Sequence, residues 1–187
     1  MMQKLWQRKL KLNYNNEVFD ILQFGSSLIE GKEPNDMDIA VIYNKIPVKE
    51  QLEESQKIKQ QLEKLSEKPI HINSYDLYSF FEKSNFAKES ILFYGKSLIY
   101  RDSFAKRFGL IPKIQIEYSL ENLKKKDKIR FNYMLSGRKG KYGLLRLYEG
   151  KLLNPGLIEI NPEFEEIFIN KIKGFKINFK IRKNLLL

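Results

Sequence analysis

The sequence predicts an α/β (α+β) protein in two parts, a small mixed sheet backed by helices over residues 1–103 and a second, basic α/β module over residues 104–187. Three observations carry this expectation. Short runs rich in β-branched and aromatic residues recur at 18–24, 37–43 and 70–74, bounded by turn formers. A long stretch of helical period, 48–66, lies between the second and third. Charge is divided unevenly: residues 1–103 hold 15 Lys and Arg against 15 Asp and Glu, whereas residues 104–187 hold 19 against 8 and carry the whole net charge of +11.

The elements follow in order. Residues 3–12, with Leu5, Trp6, Leu10 and Leu12, predict a helix of irregular spacing. Residues 18–24 (VFDILQF) predict a strand that ends at Gly25-Ser26-Ser27, where Ser27 begins a short helix. Pro34, Asn35 and Asp36 are turn formers ahead of a second strand, 37–43 (MDIAVIY). In 48–66, Leu52, Ile58, Leu62 and Leu65 predict the buried stripe of a helix. Pro69 ends that pattern and opens a third strand. Residues 75–93 predict a helix interrupted near Ser84-Asn85, and 97–100 (SLIY) closes the neutral half. In the basic half, a helix is predicted over 119–135 with Ser119 as its cap, followed by the glycine-punctuated GRKGKYG (137–143). A strand at 157–160, a helix at 163–173 entered through Pro162, and a strand at 175–182 complete the chain. Phe131, Tyr133 and Tyr148 read as core.

Composition excludes several classes. The chain has 187 residues, 42% hydrophobic and 30% charged, enough to bury a core and too apolar for a disordered chain. Cysteine is absent, which removes thiol nucleophiles and thiolate metal sites and fits a reducing compartment. His71 is the sole histidine, so no multi-histidine metal centre exists. No apolar run approaches the roughly 20 residues that span a bilayer, and residues 1–20 lack the pattern of a secretory signal. The expectation is a cytoplasmic protein with no membrane partner.

The chemistry concentrates in FGSSLIEGKEPNDMDIAVIY (24–43). Gly25-Ser26 follows a strand directly, and nine residues later Asp36 and Asp38 open the next. Residues two apart on a strand share a face, so both carboxylates project together. Two such acids repel unless a cation lies between them, and hard divalent ions prefer oxygen ligands. The Gly-Ser turn leaves backbone N–H groups free to cradle a polyphosphate. Cradle and carboxylates together suit nucleotidyl transfer assisted by Mg²⁺.

At these residues the sequence resembles the DNA polymerase beta-type nucleotidyltransferase superfamily, most closely its minimal members often found as prokaryotic antitoxins. Gly-Ser, nine residues and Asp-Met-Asp within strand–turn–strand carry the resemblance, and FYGKSLIYRD (93–102) is similar to the end of such domains. It covers residues 1–103; residues 104–187 resemble no family. The resemblance implies that Gly25 and Ser26 hold the phosphates of a nucleoside triphosphate, ATP foremost, and that Asp36 and Asp38 bind Mg²⁺ and act in catalysis. Active members carry a third carboxylate on a later strand. The corresponding PIHINSYD (69–76) offers His71 and Asn73 on one face and no acid, with Asp76 beyond. His71 then has two readings, a catalytic base or a hydrogen-bonded structural residue.

In the basic half, Arg138, Lys139 and Lys141 read as a phosphate-contacting loop with Tyr142 placed to stack on a base, or as a simple connector. KKKDKIR (124–130), along a predicted helix, reads as a phosphate-tracking face or as a merely solvated one, the second being the commoner case. The functional expectation is a metal-dependent nucleotidyltransferase moving a nucleoside monophosphate to an RNA or protein hydroxyl. Its partner would be RNA or another polyanion at the basic half, or an acidic protein. The alternative is a catalytically degenerate nucleotidyltransferase fold serving as a nucleic-acid-binding or antitoxin-like protein-binding module.

Overall fold

A computed structural model describes residues 4–82 and 87–187, so the interruption expected near Ser84-Asn85 lies outside the described residues. The chain is mixed α+β, as its patterning predicts, and divides into two compact units. One comprises residues 1–28 and 32–110, the other residues 29–31 and 111–187. The boundary expected after residue 103 falls at 110, because Phe104 is fully buried and meets Phe80 edge-on at 5.5 Å within the first unit.

In the first unit the strands are β1 (Val18–Phe24), β2 (Met37–Tyr43), β3 (Ile70–Asp76) and β4 (Lys96–Ser97), interleaved with helices α1 (Val48–Glu63), α2 (Leu77–Phe81) and α3 (Ala87–Tyr94). The sheet order is β3-β2-β1-β4. β2 runs parallel to β3, which its α1 crossover requires, and antiparallel to β1. Because helices cover both faces, β1 and β2 are buried along nearly their whole length and read as continuous apolar runs. Met37, Ile39, Val41 and Tyr43 face one core with Ile58 and Leu62 of α1; Ala40 and Ile42 face the other with Leu22, Phe80, Ile91 and Phe104.

Local chemistry differs from the periodicity in three places here. Within the helix expected over 3–12, the described residues 4–12 form a single 3-10 turn, Leu5–Gln7, whose Leu5 is buried. Of the predicted stripe, Ile58 and Leu62 on α1 are buried, whereas Leu52 on α1 and Leu65 beyond its end are 54% and 39% exposed. The rest of its inner face is polar: Gln51, Glu54 and Ser55 are buried. The Tyr43 hydroxyl donates to the Gln51 carbonyl at 3.1 Å and shares a 2.8 Å hydrogen bond with Ser55. Satisfied polar groups replace leucine there. Third, the helix expected over 75–93 is α2 and α3, and β3 extends to Asp76.

The second unit comprises β5 (Ile111–Tyr118), α4 (Lys125–Ser136), β6 (Gly137–Arg138), β7 (Lys141–Tyr142), α5 (Leu144–Leu147), β8 (Lys151–Asn154), β9 (Leu157–Ile160), α6 (Glu165–Lys173) and β10 (Phe179–Leu186). Its main sheet is antiparallel in the order β10-β5-β9-β8. Aromatic packing joins Tyr118 to Phe131 at 4.9 Å and Phe131 to Phe175 at 5.2 Å. Ser119 does not cap α4: Lys124 is its N-cap, and the Ser119 hydroxyl accepts from the Glu121 N–H instead. The last strand begins at Phe179 rather than 175, because Phe175 turns into the core. Phe131 is fully buried and Tyr148 packs on Phe164, whereas Tyr133 is 39% exposed and lies outside the core.

No helix among the described residues is long and apolar enough to cross a membrane.

Candidate functional site

β1 ends at Phe24, and the chain turns at once into the 3-10 segment Gly25–Leu28. Gly25 has φ +74°, a conformation that L side chains rarely adopt. The turn is held from below by buried groups. Ser27 donates to the Phe24 carbonyl at 3.2 Å and accepts from Gln23 Nε2 at 3.1 Å, and Leu28 is buried. Ser27 is thus structural, whereas Gly25 and Ser26 stay partly open.

Asp38 is the second residue of β2 and pairs with Phe24 of β1 on one side and His71 of β3 on the other. Its neighbours on the strand, Met37 and Ile39, are buried in the α1 core, so Asp38 projects from the opposite face. It lies directly over Gly25: a Cβ added there would collide with Asp38 Oδ2. Asp36, two residues earlier, projects to the same side, and its Oδ2 is 3.5 Å from His71 Nδ1. The three side chains therefore converge beside the Gly-Ser turn.

The electrostatics follow from this placement. Burial pushes the Asp38 carboxyl up from its ordinary value; the charge of Asp36 adds to the rise, and His71 offsets part of it. Neither Asp36 nor Asp38 forms an ion pair with a lysine or arginine among the described residues. In the loop before β2 the Lys68 ammonium donates to the Pro34 carbonyl.

Among the described residues no group of three or more His, Asp or Glu side chains is placed to hold a metal ion. Mg²⁺ is usually bound by one or two carboxylates with the remaining positions filled by water and substrate phosphate. A carboxylate pair with no cation of its own, beside a turn that only glycine fits, matches that donor requirement. Asp36 and Asp38 would hold the ion, and Gly25 and Ser26 the phosphates.

β3 supplies no acid here. His71 and Asn73 are exposed on the side of Asp38, and Asp76 lies at the far end of the strand. There Asp76 caps α2, accepting from the N–H groups of Tyr78 and Ser79 at 2.9 Å, bonds that hold its pKa below the ordinary value.

Arg138, Lys139 and Lys141 lie in the second unit on the β6–β7 hairpin. All three are exposed, and the Arg138 guanidinium stacks over the Tyr133 ring at 4.7 Å. Sequence reasoning missed Tyr133, read as core, and Arg146, whose guanidinium lies 3.9 Å from the Tyr142 ring centroid. The fourfold spacing from Tyr142 to Arg146 was the available signal. No family model, curated protein or solved structure matches this chain.

Proposed function

We propose that the first unit binds a Mg²⁺–nucleoside triphosphate and transfers the nucleoside monophosphate to a hydroxyl of RNA or protein. The observation that carries this reading is the unneutralised Asp36–Asp38 pair set over Gly25, whose lack of a side chain leaves room for Asp38. Mg²⁺ at that pair supplies charge neutralisation for the phosphates. The turn at Gly25 and Ser26 orients the triphosphate with backbone donors. The acceptor oxygen bonds to the α-phosphorus, the bond to the pyrophosphate oxygen breaks, and the hydroxyl proton passes to His71. Asp36, 3.5 Å away, orients the imidazole.

The test is incubation with α-³²P-labelled triphosphates, Mg²⁺, and total RNA or cell protein. Label should appear in one acceptor pool and vanish with Asp36→Asn or Asp38→Asn. A second reading rests on β3, where His71 and Asn73 occupy the face on which the resemblance calls for an acid. In it the turn and carboxylates bind nucleotide without reaction, and calorimetry detects Mg²⁺–ATP binding while no acceptor is labelled.

A further inference from the structure

The β6–β7 hairpin is built as a rigid platform. Its two-residue loop, Lys139-Gly140, has both φ angles positive, +47° and +82°, the pattern of the tight turns that suit a twisted hairpin. Glycine is the usual choice for such backbone; lysine at the first position accepts local strain and places an ammonium at the tip. At the base, a Cβ on Gly137 would collide with the Lys141 carbonyl, and one on Gly143 with the Leu135 carbonyl at the end of α4. The hairpin thus lies against the helix with no room for slack.

What it presents is charge and aromatic surface. A groove of about 730 Å³ is lined in part by Tyr133, Arg138, Lys139, Lys141, Tyr142 and Lys171, with no carboxylate in its lining. Arg138 and Lys141 sit directly opposite each other across the hairpin, a like-charge pair that costs stability. None of these four cations forms an ion pair among the described residues. Tyr142 is 55% exposed and Tyr133 39%, each with a guanidinium stacked on its ring. Such Arg-backed rings are platforms on which an unpaired base stacks, while neighbouring cations track the phosphates.

We infer that this groove binds single-stranded nucleic acid, RNA in the first instance, stacking bases on Tyr142 and Tyr133 and neutralising phosphates with Arg138, Lys139, Lys141 and Lys171. Exposed ring faces favour a single strand over a duplex, whose bases are already stacked, and over an acidic peptide, which needs charge alone. The inference rests on the nucleotidyl-transfer reading only where it makes the bound strand the acceptor; binding itself needs no triphosphate.

The experiment uses the full chain without nucleotide and a fluorescein-labelled single-stranded RNA of about 12 nucleotides, read by anisotropy across a salt series. Tyr142→Ala should weaken binding about five- to a hundredfold and Tyr142→Phe should leave it intact. Arg138→Gln with Lys141→Gln should lower the slope of log affinity against log salt by about 1.4. Asp36→Asn with Asp38→Asn should bind as the wild type does, which separates failure of this inference from failure of the first-unit chemistry. Equal binding of duplex RNA, or competition by poly-glutamate or inorganic polyphosphate as effective per charge as RNA, would overturn it. So would indifference to Tyr142→Ala in a variant whose circular dichroism is unchanged.

Discussion

Asp38 Oδ2 fills the place where a side chain on Gly25 would begin, so the last residue before the turn's open face and the strand carboxylate are fitted to each other. Gly25→Ala therefore combines a steric conflict with the cost of a left-handed backbone, about 1–2 kcal/mol for a residue with a Cβ. Asp38 must rotate or the turn must shift, and either movement separates the carboxylates from the turn proposed to hold the phosphates. We expect denaturant unfolding to show that loss and calorimetry to show Mg²⁺–ATP binding weakened at least about tenfold. Retained affinity would mean that the turn is no part of the nucleotide site.

Asp38→Asn should separate stability from binding. The Asp38 carboxyl titrates above its ordinary value because burial and Asp36 disfavour its charge. A raised carboxyl contributes stability that is full below the unfolded pKa, near 3.8, and lost as pH rises through the folded one. At neutral pH the ionised form thus destabilises the free protein, and the amide should raise its melting temperature. Mg²⁺–ATP should raise the melting temperature of the wild type and leave Asp38→Asn unmoved. A variant less stable than wild type without ligand would contradict the account of Asp38.

His71 stands opposite Asp38 on β3, the position where a third carboxylate would share its face. His71→Asp should bring three acids together, tighten Mn²⁺ or Mg²⁺ binding and lower the melting temperature in chelator, since like charges then crowd one another. His71→Ala should abolish labelling of the acceptor while leaving triphosphate binding within a few-fold. Undiminished labelling by the alanine variant would remove His71 from the chemistry.

The strands that hold this site were legible because burial on both faces writes β1 and β2 as unbroken apolar runs, and the turn between them uses residues with fixed conformational meaning. The inner face of α1 was legible only in part. Some of its contacts run through the Tyr43 hydroxyl to Gln51 and Ser55 and through Glu54 Oε1, which accepts from the Asn15 N–H, so apolar spacing located Ile58 and Leu62 but not the polar remainder of that face. β5 has a strict alternation of inward Pro112, Ile114, Ile116 and Tyr118, but charged and amide residues between them and a proline near its start obscured it. Tyr133 looked like core because spacing along α4 carries no information on where the helix leaves the sheet.

Asp20 is the residue that sequence could not flag, a lone acid in an otherwise largely apolar strand. It sits at an irregularity in the β1–β2 register and is completely buried. Its Oδ1 accepts from the Ser97 hydroxyl at 2.6 Å and from the Ile21 N–H at 2.8 Å, while its buried Oδ2 has no hydrogen-bond partner among the described residues. Burial pushes its pKa from 3.8 to about 6, with Ser97, Ile21 and the charge of Arg107 holding back a larger rise. Below 3.8 both folded and unfolded states are protonated and the residue exacts no charge penalty. Between 3.8 and about 6 the folded chain keeps a proton that the unfolded chain has lost, so stability falls as pH rises, and above 6 the full cost is present. A shift of that size corresponds to about 3 kcal/mol. Asp20→Asn cannot titrate, so relative to wild type it should be about 2 kcal/mol better off at pH 7 than at pH 4, where part of the cost is already present, whatever its absolute stability. Urea unfolding of both proteins at the two pH values measures that difference, in which every other titrating group cancels. A variant and wild type that respond alike to pH would show that Asp20 is already ionised in the folded chain at pH 4, with Arg107 drawn in to neutralise it.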